Sequence, residues 1–299
     1  MITTNKEAVT KSFRHVDLVF EPEHQVVWAD LKYPGRPCMS RALLKDVAAA
    51  QRLIQQRATS AHEQGLDNRL IYQVLASSQP GVFNLGGDLA HFIELIRTRD
   101  RMQLFDYAKA CIDILYQSAT SYGLPFTTIA LVQGETLGGG FEAALSANVM
   151  IAERGARFGF PETVFGLFPG MGAYSFLARR IAPALAKRVI TSGRIYSAEE
   201  LYDMGVVDVL AEDGRGREAV YDYIQHQRSR TAGFLAFDRV VDQFHPISYK
   251  ELMDVVTLWV DTALELSDKN LRLMEYLVHA QEKRWGADRP EQGERAVAL

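Results

Sequence analysis

Short apolar runs rich in β-branched residues recur along the first two-thirds of the chain, each bounded by polar or glycine-containing segments. Runs of this length and composition are typical of buried β-strands. The strands predicted in this way are His24–Lys32, Leu70–Ala76, Thr127–Gln133, Asn148–Ala152, Arg157–Phe160 and Val206–Leu210. The chain is therefore predicted to have a β framework that ends near residue 210.

Longer segments in which apolar residues recur at helical spacing separate these strands. One follows Ser40, a favourable N-cap residue, and another extends from Leu89 to Tyr122 in two pieces that break near residues 98–101. Strands that alternate with helices predict an α/β fold with largely parallel strands. Beyond residue 210 only helix-like patterns remain. They predict a core with an N-terminal extension over residues 1–214 and a C-terminal helical subdomain over residues 215–299.

The composition narrows the function classes. Of the 299 residues, 47% are hydrophobic and 23% are charged, as in an ordinary globular protein. A net charge of −4 gives no basic excess for binding nucleic acid. No apolar stretch approaches the ~20 residues that span a bilayer, and the first residues lack signal-peptide character. Because Cys38 and Cys111 are far apart, the sequence indicates a reducing, cytoplasmic setting.

Two glutamates beside glycine-rich turns are the main candidates for chemistry. Glu142 follows the run Gly138–Gly140, and Glu162 ends the segment 158–162. Consecutive glycines let backbone N–H groups approach a ligand, and a helix that begins there leaves its first N–H groups free to stabilise a developing oxyanion. Two carboxyl groups in a partly apolar pocket favour one shared proton. This pattern predicts acid/base catalysis.

Other catalytic classes have no support in the sequence. A Gly-x-Ser-x-Gly nucleophile elbow is absent, which argues against a serine hydrolase of the α/β type. Neither an HExxH nor a CxxC motif occurs, so no metal is expected. Asp88 is expected to cap the helix that begins at Leu89 rather than to catalyse.

Several segments resemble the crotonase (enoyl-CoA hydratase/isomerase) superfamily: Phe83–Leu89, Gln133–Glu142 and Phe158–Gly172. The resemblance is closest to the diffusible signal factor (DSF) synthases of bacterial quorum sensing, through the strings Val82–Ala90, Gly138–Ser146, Phe168–Phe176 and Trp259–Ala263. It implies an α/β fold with a crotonase-like ββα spiral core and a C-terminal helical subdomain. It also implies that the protein forms a homo-oligomer.

The resemblance further implies a reaction within fatty acid biosynthesis. DSF synthases dehydrate 3-hydroxyacyl thioesters of acyl carrier protein to cis-2-enoyl thioesters, as lyases, and then act as thioesterases that release a free cis-2-unsaturated fatty acid. Glu142 and Glu162 would share proton removal and delivery, and the backbone N–H groups of Leu85 and Gly139 would form the oxyanion hole. The substrate would arrive as a phosphopantetheine thioester on acyl carrier protein or CoA, with no separate cofactor. A sensor kinase is a candidate regulatory partner.

Further residues are candidates for substrate binding: Gly86, Leu137, Gly138, Met171 and Trp259. For the apolar members of this group the alternative interpretation is core packing, since apolar side chains most often fill the protein interior.

Two other functions remain open. A conventional enoyl-CoA hydratase acting on CoA thioesters would need the same two glutamates. Against it, Tyr33–Ser40 replaces the asparagine-rich loop common in hydratases that bind CoA. A non-catalytic acyl-binding regulator is the alternative from another class, although a binding module gains nothing from burying two carboxyl groups.

Overall fold

The computed structural model describes residues 9–63, 70–228 and 243–285, together with the single positions 233 and 240. Four parts of the chain lie outside the described residues: 1–8 and 64–69 of the predicted core, and most of 229–242 and all of 286–299 of the predicted C-terminal subdomain. The strands are β1 (Val9–Ser12), β2 (Val16–Glu21), β3 (Val26–Leu31), β4 (Tyr72–Ser77), β5 (Gly81–Asn84), β6 (Thr127–Val132), β7 (Gly134–Leu137), β8 (Val149–Glu153), β9 (Arg157–Gly159), β10 (Ile195–Ser197) and β11 (Val209–Ala211).

Helices fill the segments between and after the strands. They are α1 (Arg41–Glu63), α2 (Leu89–Arg97), α3 (Arg101–Ala119), α4 (Gly139–Leu145), α5 (Ala173–Arg180), α6 (Pro183–Thr191), α7 (Ala198–Asp203), α8 (Gly216–Arg228), α9 (Tyr249–Leu264) and α10 (Asp268–Trp285), with 3-10 turns at Ser121–Gly123 and Pro161–Phe165. None of the helices within the described ranges is long and apolar enough to cross a membrane.

The strands form two sheets. The larger has the order β1-β2-β3-β4-β6-β8-β11, in which the pairs from β3 onward are parallel, and the smaller has the order β10-β9-β7-β5. Consecutive strands alternate between them: β4, β6 and β8 join the large sheet, whereas β5, β7 and β9 join the small one. A helix or 3-10 turn follows each pair, so the chain advances by ββα repeats. The α/β class and the repeats that were predicted are confirmed.

The two pieces predicted between Leu89 and Tyr122 are present as α2 and α3. Asp88 caps α2 by accepting a hydrogen bond from the backbone N–H of His91, and Ser40 caps α1 by accepting one from the backbone N–H of Leu43. Both caps satisfy N–H groups that have no acceptor within the helix.

The N-terminal segment was not predicted as structure, yet β1 and β2 form an antiparallel hairpin that extends the large sheet through β3. The residues of β1 are all exposed, so this edge strand has no apolar alternation by which a sequence pattern could identify it.

The C-terminal helices cover two different surfaces. Helix α8 buries Val220 and Ile224 against the outer face of the large sheet, next to Trp28. Helix α9 lies along α3, and α10 lies along α2, on the other side of the molecule. The division into 1–214 and 215–299 stays a prediction. The packing shows that α9 and α10 cover α3 and α2.

Candidate active site

A cavity lies where α2, α3, α4 and α9 meet. Glu142 and Glu162 both line it, so the fold brings together the two glutamates that the sequence selected. Most of the remaining wall is apolar, with contributions from Leu44, Phe92 and Leu167. A carboxyl group in such surroundings is poorly solvated, which disfavours its charged form.

Glu142 is fixed by two backbone donors. It lies in the first turn of α4 and is 1% exposed. Its Oε1 accepts hydrogen bonds from the backbone N–H groups of Met171 (2.7 Å) and Ala173 (3.0 Å). Burial raises the pKa of Glu142 to about 7, and the two hydrogen bonds oppose that rise because they stabilise the carboxylate.

Helix α4 can begin this close to β5 only because residue 140 is glycine. A side-chain carbon at that position would lie 2.3 Å from the backbone oxygen of Asn84. The glycine therefore lets the helix that carries Glu142 pack directly on the end of β5.

Glu162 lies in the 3-10 turn that Pro161 opens, and its environment differs from that of Glu142. Its Oε2 is buried and has no hydrogen-bond partner among the residues that the structure describes. Burial, followed by the nearby charge of Glu142, raises the pKa of Glu162 to about 8. Because Glu142 accepts from two backbone N–H groups and Oε2 of Glu162 accepts from none of the described residues, the site stabilises the charged form of Glu142 better and favours Glu162 as the protonated member of the pair.

Gly138 makes room for the Glu162 carboxyl group. Its φ of 49° lies in the left-handed region, and a side-chain carbon there would come within 2.3 Å of Oε1 of Glu162. Glycine is thus required twice at this position, by the backbone conformation and by the contact. The contact also places the Glu162 carboxyl group next to the first residue of α4, Gly139.

The turn after β5 has most of its backbone donors occupied. The N–H of Leu85 donates to the carbonyl of Pro37 (2.8 Å), and the N–H of Gly86 donates to Oδ1 of Asn84 (2.8 Å). The N–H of Asp88 donates to the hydroxyl of Tyr107 (3.3 Å). Leu85 was predicted to supply an oxyanion donor. The structure contradicts this, because its N–H is already bonded and Leu85 does not belong to the cavity wall.

Gly87 is the residue of this turn that reaches the cavity. Within the described parts of the chain its N–H meets no acceptor, and Gly87 lines the cavity together with Gly139. A side-chain carbon on Gly139 would lie 3.5 Å from the Gly87 nitrogen, so the two backbones are adjacent. As the first residue of α4, Gly139 has no acceptor for its own N–H within the helix.

The other candidates for substrate binding separate into two groups. Met171 and Trp259 line the cavity, and the indole of Trp259 lies against Gly170, where a side-chain carbon would meet Cδ1 at 2.3 Å. Gly86, Leu137 and Gly138 lie behind the wall, where a side-chain carbon on Gly86 would come within 2.9 Å of the Leu137 carbonyl oxygen. Their location gives these three a packing role next to Glu162 and Gly139.

The residues that hold the turn after β5 in place were not predicted from the sequence. The hydroxyl of Tyr33 donates to the carbonyl of Phe83 (2.6 Å) and accepts from the side-chain amide of Asn84 (3.1 Å). The hydroxyl of Tyr107 donates to the backbone carbonyl of Met39. Gly86 and Gly87 are consecutive, and two adjacent glycines in a sequence indicate that another part of the backbone can approach closely. The tyrosines carry no such signal, since their partners are distant in sequence.

The sequence is similar to one family of known proteins. The family model described as enoyl-CoA hydratase/isomerase matches residues 50–232. The probable mitochondrial enoyl-CoA hydratase 2 of Arabidopsis thaliana is 30% identical over 190 residues, which are 64% of this chain and 59% of that protein. The mitochondrial methylglutaconyl-CoA hydratase of Rattus norvegicus is 28% identical over 187 residues, 62% of this chain and 54% of that protein. The matches thus span little more than half the length of these relatives.

Among solved structures, the enoyl-CoA hydratase from Bacillus halodurans superposes with a TM-score of 0.70 at 19% identity, covering 90% of this chain and 99% of that one. At this identity the likeness concerns the fold, and it confirms the predicted fold class.

Proposed function

Because this chain belongs to the enoyl-CoA hydratase/isomerase family, we propose that it adds or removes water at the C2–C3 bond of an acyl thioester. The observation that carries the proposal is the pair of buried carboxyl groups, Glu142 and Glu162, on one cavity wall. Glu142 is held by two backbone donors, and Glu162 has an oxygen with no partner among the described residues. Two carboxyl groups whose surroundings separate their pKa values can act as acid and base.

The protonation states of Glu142 and Glu162 suggest which group is the base and which is the acid. In hydration, the Glu142 carboxylate takes a proton from the attacking water, and Glu162 gives its proton to C2 as the C3–O bond forms. Glu162 suits C2 because its carboxyl group lies against Gly138, beside the backbone that would bind the thioester oxygen. Dehydration reverses these transfers, starting from the form in which the shared proton lies on Glu142. Each cycle moves one proton between the two groups, so the site needs no external acid.

The negative charge that develops on the thioester oxygen would be stabilised by the backbone N–H groups of Gly87 and Gly139. Preorganised donors of this kind stabilise an enolate-like transition state without reorganisation. Gly87 replaces Leu85 in this role, because its N–H meets no acceptor in the described part of the chain.

For the substrate we propose the reaction of the DSF synthases. The enzyme would dehydrate a 3-hydroxyacyl thioester on acyl carrier protein and then hydrolyse the cis-2-enoyl thioester to a free acid. The sequence strings around the two glutamates and at Trp259–Ala263 support this choice. The second step needs no new site, since water attack on the carbonyl carbon develops charge on the same oxygen. Regulation by a sensor kinase and assembly into a homo-oligomer stay predictions.

A conventional enoyl-CoA hydratase is the second candidate, favoured by the curated relatives, whose names describe them as CoA hydratases. The same two carboxyl groups serve either direction of the reaction. A purely acyl-binding role is less consistent with the site, because burying the Glu162 oxygen, which has no partner within the described ranges, costs free energy that binding alone does not require.

The discriminating experiment offers 3-hydroxydodecanoyl thioesters of acyl carrier protein and of CoA to the purified protein and identifies the products by mass spectrometry. Release of free cis-2-dodecenoic acid supports the DSF-type reaction. Reversible interconversion of CoA thioesters without a free acid supports the conventional hydratase. Absence of any turnover would contradict both and favour the binding role.

A further inference from the structure

The turn that carries Gly87 runs parallel to the segment just before α1. The N–H of Leu85 donates to the carbonyl of Pro37 (2.8 Å), and the N–H of Met39 donates to the carbonyl of Gly86 (2.8 Å). Met39 and Gly87 also pair as an isolated parallel bridge. The two backbones are therefore joined as in a short parallel β-ladder.

The two hydrogen bonds of this ladder are out of register by one residue. In a regular parallel ladder, the bond from Leu85 to Pro37 would be followed by one from the N–H of Met39 to the carbonyl of Leu85. The next bond would run from the N–H of Gly87 to the carbonyl of Met39. Met39 instead bonds to Gly86, whose φ of 95° lies in the left-handed region. The turn thus contains one extra residue, as in a β-bulge, and the N–H of Gly87 misses the acceptor that a regular ladder would supply.

Tyr107 of α3 occupies the acceptor that this shift leaves over. Its hydroxyl donates to the carbonyl of Met39 and accepts from the backbone N–H of Asp88 (3.3 Å). Tyr107 is 1% exposed, so both bonds are sheltered from bulk solvent. One hydroxyl group therefore joins the two backbones at the point where a regular ladder would bind Gly87.

The ring of Tyr107 is itself supported by Phe92 of α2. The two rings meet edge to face, with their centroids 4.8 Å apart and their planes at 89°. Phe92 also covers Gly87, where a side-chain carbon would lie 2.6 Å from Cε2 of the ring. Gly87 is thus enclosed between an aromatic ring and a backbone that Tyr107 holds, and its N–H meets no acceptor in the described ranges.

We propose that Tyr107 is a positioning residue that keeps the N–H of Gly87 available to the thioester oxygen. By holding the Met39 carbonyl, its hydroxyl prevents the turn from closing into a regular ladder in which that carbonyl would bind Gly87. This inference rests on the proposed function, in which Gly87 stabilises the developing oxyanion. It deepens that function by naming the side chain that keeps this donor free.

Tyr107→Phe tests the proposal, because it removes the hydroxyl and keeps the ring on Phe92. The Met39 carbonyl then loses its donor, and the N–H groups of Gly87 and Asp88 compete for it. Either new bond draws the turn towards Met39 and away from the thioester oxygen. We expect kcat for hydration to fall by about tenfold or more and KM to change by less than about threefold, because oxyanion donors act chiefly in the transition state.

The infrared band of a bound thioester carbonyl gives a second readout, which a loss of packing alone would not move. Hydrogen-bond donors polarise a carbonyl group and lower its stretching frequency. The ligand is butanoyl-CoA labelled with ¹³C at the carbonyl carbon, which has neither a 3-hydroxyl group nor a C2–C3 double bond. In the unaltered protein its band should lie below that of the free thioester. In Tyr107→Phe about half of this shift or more should be lost, because one of the two proposed donors is withdrawn.

Tyr122→Phe is the matched control. Tyr122 is also a buried tyrosine, 5% exposed, and its hydroxyl donates to the side chain of Gln73, but it does not line the active-site cavity. This variant should keep kcat within about twofold and retain the full band shift. Phe92→Leu is the second test variant if Tyr107→Phe does not fold. It keeps the Tyr107 hydroxyl but removes the ring that supports it, so part of the band shift should be lost.

The inference is overturned if Tyr107→Phe keeps the kcat and the band shift of the control. A lower kcat with an unchanged band shift would also overturn it, since the hydroxyl would then act through stability alone. So would an unaltered protein that leaves the butanoyl-CoA band at its free position, because no donor would then act on the oxygen. If no thioester is converted, the proposed function fails, while the band shift still decides whether Tyr107 keeps Gly87 free.

Discussion

At the scale of single residues, the two carboxyl groups that share one cavity differ in their hydrogen-bond partners. Glu142 is held by the N–H groups of Met171 and Ala173, and Glu162 has a buried oxygen without a partner in the described structure. Burial raises both pKa values, and the charge of Glu142 raises that of Glu162 further. The pair therefore holds one proton near neutral pH.

We expect a bell-shaped dependence of kcat/KM on pH. Activity should rise as the pH approaches about 7, where Glu142 becomes the carboxylate, and fall above about 8, where Glu162 loses the proton that it must donate. Initial rates of hydration between pH 5.5 and 9.5 measure this profile. A rate that stays constant from pH 5.5 to 9.5 would contradict the assignment of the pair as acid and base.

The turn that carries Gly87 gives a second prediction at this scale. In Asn84→Ala the N–H of Gly86 loses its acceptor, and an unsatisfied buried donor costs about 1–3 kcal/mol. The turn should shift, and kcat should fall by about tenfold or more with a smaller change in KM, since the transition state depends most on the oxyanion donors.

Asn148→Ala is the control for this variant. The side chain of Asn148 accepts from the backbone N–H of Thr128 (2.8 Å), and Asn148 does not line the cavity. Thermal unfolding and kinetics of both variants separate the two effects. Equal kcat in the two variants at comparable stability would show that Asn84 does not position the turn.

At the scale of elements, the site depends on the glycine turn between β7 and α4. Gly138 adopts a φ of 49°, and its missing side chain provides the space that the Glu162 carboxyl group occupies. The turn therefore couples the start of one helix to the carboxyl group carried by the next ββα repeat.

Gly138→Ala should reduce activity by more than its cost in stability explains. Gly205→Ala is the control, since Gly205 also has a positive φ, of 79°, but no atom within 4 Å of the added carbon. Both variants should lose about 1 kcal/mol or more of stability from the backbone conformation. Only Gly138→Ala should lower kcat/KM by an order of magnitude or more, because it displaces Glu162. Equal activity of the two variants would argue against that contact.

The elements also show how far the sequence predicted the fold. The buried strands β3, β4, β6 and β8 and the break between α2 and α3 were predictable, because each has a period or composition of its own. The edge strand β1 was not, since its residues are exposed. In the site, Glu142 and Glu162 were predictable because glycine-rich segments precede them in the sequence. The assignment of the oxyanion donor to Gly87 instead of Leu85 was not, since it depends on hydrogen bonds to Pro37 and Tyr107 that only the tertiary structure reveals.

At the scale of the whole molecule, the buried carboxyl groups connect activity with stability. Folding raises the pKa of Glu162 from its ordinary value of 4.5 to about 8, so the folded state binds more protons than the unfolded chain between those values. Its contribution to stability is fully present below about pH 4.5 and is lost as the pH rises through about 8.

Glu162→Gln should remove this dependence. The free energy of unfolding of the variant should fall less between pH 5 and pH 8.5 than that of the unaltered protein, because glutamine does not titrate. Denaturant unfolding at the two pH values measures the difference. If the variant and the unaltered protein lose the same free energy over this range, Glu162 is not protonated in the folded state.

The most direct test of the central claim follows solvent deuterium at C2 of a 2-enoyl thioester during hydration in D₂O. We predict that the unaltered protein transfers one deuteron to C2 as it adds water. Glu142→Gln and Glu162→Gln should each slow this reaction by about 10²–10⁴-fold, since each removes a proton-transfer group, while both remain folded. Undiminished transfer in either folded variant, or no transfer by the unaltered protein, would contradict the assignment of this site to thioester hydration and dehydration.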